Sequence, residues 1–188
     1  METLSELNFD TLAEIINVST RRAAQGLSDA IGKSIQPPVA KIELIKLNDV
    51  SISSLQLESK KLGIVTLEFV GKLNAEVMLL FAEENVLHIV QRMMGAEIEI
   101  EIVREFENEA MCELGNIMIN ACLASITDML KISMESTLPH YAIKSDDEIV
   151  EYIRTVPNKE FVLASHIDFS IEGLPMKGKL FFLMNSIK

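Results

Sequence analysis

Apolar residues recur at helical spacing over two long stretches of the chain. In the first, Leu12, Ile16, Ala23, Leu27 and Ala30 form a stripe, and Glu14, Asn17, Arg21, Gln25 and Ser28 fall on the opposite side. This pattern predicts an amphipathic helix from about Phe9 to Lys33. Pro37 and Pro38 close the segment, because proline lacks the N–H a helix needs and restricts the residue before it. In the second stretch, from about Arg104 to Lys131, Ala110, Leu114, Ile117, Ala121 and Met129 face inward by spacing. Glu109, Glu113, Asn116, Asn120 and Thr127 face outward, and Pro139 follows after a polar connection.

Period-two and continuous apolar patterns occupy the intervening segments. Val39–Leu47 alternates, with Ala40, Ile42 and Leu44 against Lys41 and Glu43. Leu62–Val70 and Ala75–Ala82 are rich in β-branched and aromatic residues, and 71–74 between them reads as a hairpin connection. Glu83–Met94 has the pattern of a shorter helix that Gly95 can end. Phe161–Ile171 and Met176–Met184 are predicted strands with a turn at Glu172–Gly173. Asp146–Pro157 fits neither period and stays unassigned.

The two halves follow one plan. Each has a long helix, a proline, extended segments and a closing hairpin, and Glu14 and Asn17 lie 99 residues before Glu113 and Asn116. Such self-similarity points to an internal repeat. The expected fold is therefore one α+β domain over residues 1–188, with pseudo-repeats at about 1–95 and 104–188. Two αβ units would meet around a pseudo-twofold axis, their two long amphipathic helices packed on antiparallel sheet.

Composition narrows the function classes. The chain has 188 residues, and 48% of them are apolar, enough for a full core. No apolar run approaches the ~18 residues of a membrane span, and the start lacks the basic and apolar blocks of a signal peptide, so a cytoplasmic protein without membrane insertion is expected. The net charge of −11 argues against nucleic acid and anionic membrane surfaces, which call for a basic face. It favours another protein or a cation. Cys112 and Cys122 read as small buried apolar side chains, too far apart along one helix for a disulfide. His88, His140 and His166 are scattered, and no Cys/His pair has metal-ligand spacing.

The candidate chemistry lies in the repeated acids and amides. The first copy is Asp10-x-x-x-Glu14-x-x-Asn17 and the second Glu109-x-x-x-Glu113-x-x-Asn116. Positions i, i+4 and i+7 share a helix face. Asparagine is a mediocre mid-helix residue, so two asparagines at one step from a glutamate weigh more than ordinary surface polarity. A neutral amide is no general base, but it can hold a water by donating and accepting at once. Phosphoryl transfer relies on that kind of positioning. The glutamate could grip a cation on a partner, most simply a lysine. Neither half has a phosphate-cradling glycine loop, so a partner would have to bring the phosphate and any metal. Glu97, Glu99 and Glu101 alternate along what reads as a short strand, a weaker candidate for a cation site. Glu83–Glu84 and Asp146–Glu148 read as solvated turns or helix starts, and Met93–Met94 as core filling.

At these residues the chain resembles the CheC/CheX/FliY family of bacterial chemotaxis phosphatases. Its motif is an Asp or Ser, three residues, Glu, two residues, Asn, then about 22 residues to a proline. The second copy matches at Glu113, Asn116 and Pro139, with 22 residues between the last two, and departs at Glu109. The first matches at Asp10, Glu14 and Asn17, but Pro38 comes early, after 20 residues. The resemblance implies a CheC-like fold and hydrolysis of the aspartyl phosphate on a phosphorylated CheY-like receiver domain. Glu14 and Glu113 would contact the receiver's lysine, Asn17 and Asn116 would orient the attacking water, and the Mg²⁺ would belong to the receiver. Two copies of the site resemble CheC more than CheX. The resemblance also brings in the deamidase CheD as a candidate partner. It leaves two further readings open: a non-catalytic binding module like the middle domain of FliM, and an adaptor regulating CheD.

Overall fold

The computed structural model describes residues 9–35, 39–95, 97–171 and 173–185. The long helices α1 (Phe9–Ile31) and α4 (Glu107–Leu130) lie against each other on a seven-stranded antiparallel sheet. In chain order, α1 leads to β1 (Val39–Lys46), β2 (Lys61–Gly71), β3 (Ala75–Ala82), α2 (Glu83–Met94) and α3 (Ile100–Glu105). After α4 come β4 (Met134–Ser136), β5 (His140–Ser145), α5 (Asp146–Thr155), β6 (Phe161–Ile171) and β7 (Leu174–Met184). The sheet runs β1-β6-β7-β3-β2, and β4 and β5 both pair with β2. Exchanging β1 with β5, β2 with β6 and β3 with β7 leaves this order unchanged, reversed end for end.

Strand alternation divides the core in two. Val65, Leu67, Phe69, Val77, Leu79, Leu180 and Phe182 face α1, α2 and α4. Leu62, Ile64, Met78, Leu80, Phe181 and Leu183 face the other way, onto α5 and the 47–57 segment. Central strands covered on both faces need apolar residues at consecutive positions, which is why β2, β3 and β7 read as runs. The 47–57 segment seals its face with Leu47, Val50, Leu55 and Leu57. It is tied by Ser51 N donating to Ser54 Oγ at 2.8 Å and Ser54 N to Ser51 Oγ at 3.0 Å.

Small residues let α1 and α4 approach closely. A Cβ on Gly26 would sit 3.0 Å from Ile117 Cγ2, and Ala23, Cys122 and Ser125 are buried nearby in sequence. Arg22 pairs with Asp128 at 3.1 Å, whereas Gly26 meets Ile117. Rising numbers on α1 meet falling numbers on α4, so the pair is antiparallel.

The structure corrects several expectations. The second long helix begins at Glu107, not Arg104. Phe106 (φ −104°, ψ 4°) breaks it from α3. Glu101 lies in α3 rather than on a strand, because Ile100–Glu105 turns helically to bury Val103. Met129 is 42% exposed, being one residue from the end of α4, and Ala30 is exposed at the end of α1. The unassigned stretch at Asp146 is α5. Its capping box joins Ser145 and Glu148, and Ile149, Val150 and Ile153 are buried. Among the described residues α4 is long and apolar enough to cross a membrane, contrary to the expectation that no segment would be; here Met111, Leu114, Met118, Ile119 and Cys122 line the core. Pro37, Pro38 and Glu172 lie outside the described residues.

Candidate functional site

Each Glu/Asn pair stands in the first half of its helix. Glu14 and Glu113 are exposed, as are Asp10 and Glu109, while Asn17 and Asn116 are half-buried. Helical spacing places each glutamate and asparagine on one face. Antiparallel packing sets the two pairs toward opposite ends of the α1–α4 layer, so they stand apart and do not form one composite arrangement.

The second pair is embedded in a larger arrangement. Ser136 Oγ donates to Asn120 Oδ1 at 2.8 Å. Asn120 Nδ2 in turn donates to Asn116 Oδ1 at 2.7 Å. This relay fixes the amide of Asn116 with its Nδ2 hydrogens and one remaining Oδ1 lone pair available. Among the described residues nothing takes up those hydrogens. For Asn17 no side-chain partner is found among the described residues. The residue four places on is the exposed Arg21, which has no acceptor to take part in such a relay.

Pro139 has a clear structural part in the second site. Phe69 of β2 pairs with Ser136, and Thr66 pairs with His140. Two β2 residues therefore face three on the edge, which is a β-bulge. Thr137 serves Glu68 twice, donating its N–H to the carbonyl and accepting on Oγ1 from the amide, both at 2.9 Å. Leu138 and Pro139 are left out of the ladder, a place where proline loses no hydrogen bond. Leu138 is consequently 90% exposed. The Pro139 carbonyl turns toward α4, where Cys112 Sγ approaches it at 3.7 Å. The bulge thus meets α4 at Cys112, next in sequence to Glu113, and follows directly on Ser136, whose hydroxyl reaches Asn120.

Acidic groups dominate the start of α4. Glu107 accepts from Tyr141 Oη at 2.6 Å. Burial first, and then this carboxylate, push the Tyr141 phenol above its usual range, so it stays a hydrogen-bond donor. Glu109 and Glu113 remain exposed along the same helix. Burial raises the Cys112 thiol and takes that of Cys122 up to about 12, which suits neither for nucleophilic work. Among the described residues no cluster of three His, Cys, Asp or Glu could hold a metal. Sequence reasoning placed Asn120 on the outward face without a role and passed over Ser136. A second mid-helix asparagine one turn after Asn116 was the available signal.

No protein-family model matches the chain. Solved structures do. FliY from Thermotoga maritima is 24% identical over 94% of this chain and 89% of its own, with a TM-score of 0.72. CheX from Borrelia burgdorferi, crystallised as a CheX–CheY–BeF₃–Mg²⁺ complex, is 14% identical over 91% of this chain and 97% of its own, with a TM-score of 0.58. The FliM middle domain from H. pylori is 11% identical over 95% of this chain and 94% of its own, with a TM-score of 0.59. At these identities the likeness is one of fold, and the fold is CheC-like.

Proposed function

We propose that the chain is a phosphatase that accelerates hydrolysis of the aspartyl phosphate on a CheY-like receiver domain. The observation that carries this reading is the pair of Glu-x-x-Asn faces on a CheC-like fold, one of them with its amide already held. The CheX of the same fold that was crystallised with CheY and Mg²⁺ supports a receiver as the partner. Glu14 and Glu113 reach toward a lysine of the receiver. Asn17 and Asn116 enter its active site and orient a water in line with the phosphorus. The water oxygen bonds to phosphorus, the acyl phosphate P–O bond breaks, and the aspartate leaves as a carboxylate. The water proton leaves with inorganic phosphate. The receiver's Mg²⁺ neutralises phosphoryl charge. This chain contributes position and orientation, which can supply much of the acceleration in phosphoryl transfer. A receiver substrate also places the work in the cytoplasm, and the symmetric strand order fits descent from a duplicated αβ unit.

The test is to mix the chain with a phosphorylated receiver and follow loss of phosphate. Asn17→Ala combined with Asn116→Ala should abolish the acceleration; a double variant as active as wild type refutes the mechanism. A second reading, a binding module without catalysis, draws on the shared fold of the FliM middle domain. Receiver binding with an unchanged dephosphorylation rate would favour it. Capture of CheD, with loss of its deamidase activity, would point to the adaptor role.

A further inference from the structure

We infer that Asn120 and Ser136 are positioning residues for the second site, and that this relay makes the second site the stronger of the two. The inference rests on the phosphatase reading for its activity and on geometry for everything else. An asparagine side chain turns about two bonds, and its amide can present either end outward. Orienting a water requires one particular presentation. The 2.7 Å bond from Asn120 Nδ2 takes one Oδ1 lone pair of Asn116 and so turns the donor end outward. Asn120 is itself oriented by Ser136 at 2.8 Å, and Ser136 is held through the pairing of β4 with β2. The catalytic amide on a helix is thereby referenced to the sheet.

Among the described residues the first copy shows no counterpart. At the 99-residue offset that relates Asn17 to Asn116, Asn120 corresponds to Arg21. Arginine can donate to an amide oxygen but has no acceptor for a hydroxyl, so no serine could fix it as Ser136 fixes Asn120, and no bond from Arg21 to Asn17 is found among the described residues. With no side-chain partner among the described residues, Asn17 is ordered on docking to the receiver, which reduces its rate contribution.

The experiment uses the full chain carrying Asn17→Ala, so that only the second site reports. Asn120→Ala and Ser136→Ala should each lower kcat for a phosphorylated receiver by about threefold to tenfold with KM unchanged. Ser136→Thr keeps the hydroxyl and should keep most of kcat. Asn120→Asp keeps the shape but replaces the donor with an acceptor, turning the Asn116 amide around, and should fall at least as low as Asn120→Ala. In the otherwise wild-type chain, Asn116→Ala should cost more activity than Asn17→Ala. Unchanged kcat in both alanine variants, or equal losses in kcat and 1/KM that Ser136→Thr shares, would overturn the inference. A second measurement separates its failure from that of the phosphatase reading. The NMR order parameter of the Asn116 side-chain amide should be high in the chain alone and fall in Ser136→Ala. If wild type accelerates nothing, the phosphatase reading fails. The relay then stands if that order parameter falls and is refuted if it does not.

Discussion

Gly115→Ala tests how closely the helix that carries Glu113 and Asn116 must sit on the sheet. Gly115 lies between Glu113 and Asn116 and is buried in the middle of α4. By helix propensity alone alanine should stabilise it by about 1 kcal/mol. The packing predicts the opposite. A Cβ there would lie 2.2 Å from Val65 Cγ1, 2.9 Å from Val65 Cβ and 3.2 Å from Val65 Cγ2. Rotating Val65 cannot clear the second contact, since Cβ is fixed to the β2 backbone. The helix must therefore lift or the strand must bend. Inserting a methyl into a filled core costs about 1–3 kcal/mol, and a clash this short belongs near the upper end. After the propensity gain, the net loss should be about 1–2 kcal/mol.

Urea unfolding measures it directly. With a slope of about 2 kcal/mol/M for a domain of this size, the midpoint should fall by about 0.5–1 M. The decisive variant is Val65→Ala. Alone it costs about 2 kcal/mol, from two buried methyls and the space they leave. In its background Gly115→Ala should cost far less, giving a coupling of about 1–2 kcal/mol. The double variant regains only part, because Val65 Cβ has an equivalent in alanine. A higher urea midpoint for Gly115→Ala, or the same cost in both backgrounds, would refute the claim that backbone and strand meet here. Receiver dephosphorylation by Gly115→Ala should fall as well, since a lifted α4 moves Asn116 and Asn120 away from Ser136.

Three other outcomes follow from single features. Ser145→Ala removes the hydroxyl that accepts from Glu148 N at 3.2 Å at the start of α5. It should cost about 1 kcal/mol by urea unfolding and leave second-site turnover unchanged, as α5 covers the opposite face of the sheet. Burial, then the Lys179 ammonium, hold the His166 imidazole below its usual 6.5, against the pull of Glu43. Its contribution to stability is therefore complete above the unfolded value and is lost as pH falls through the depressed folded one. The drop in urea midpoint between about pH 7.5 and about pH 5.5 should be smaller in His166→Gln, and an equal drop would exclude His166 as its source. Finally, a thiol reagent should modify half-buried Cys112 in the native chain and reach the fully buried Cys122 only on unfolding. Two thiols reacting at one rate in the native state would contradict the packing of α4.

The elements legible in the sequence are those whose side chains answer to one surface or to two. α1 and α4 showed a stripe because one side meets the sheet. β2, β3 and β7 showed runs because both faces are covered. Edges and short elements gave less. β4 and β5 are interrupted by the bulge at Leu138, so no alternation survives across them. Ile98, Ile100 and Ile102 alternate as a strand would, yet the helical turn of α3 is only six residues long, too short for one period to exclude the other. Ser145 and Glu148 carried a legible capping-box spacing that the acids around them obscured. The Glu/Asn pairs were legible because repetition made two ordinary residues improbable together. The relay was not, because Ser136 is a strand residue 16 positions from Asn120 and no helical or strand period connects them.

The duplication and its divergence bear differently on function. The 99-residue offset keeps the glutamate and the amide in both halves, the groups that would touch a receiver and a water. It does not keep what surrounds them: Gly115 corresponds to Ile16 and Asn120 to Arg21. Ile16 is buried as a full side chain, so α1 has no seat like the contact of Gly115 with Val65. The glycine that brings α4 down onto β2 and the asparagine that ties it to Ser136 belong to the same half. Close seating is what puts a helix amide within hydrogen-bond reach of a strand hydroxyl. The two features therefore depend on each other, and Gly115→Ala and Ser136→Ala should be less than additive in their effect on kcat. Full additivity would mean that the helix–sheet contact and the relay act independently.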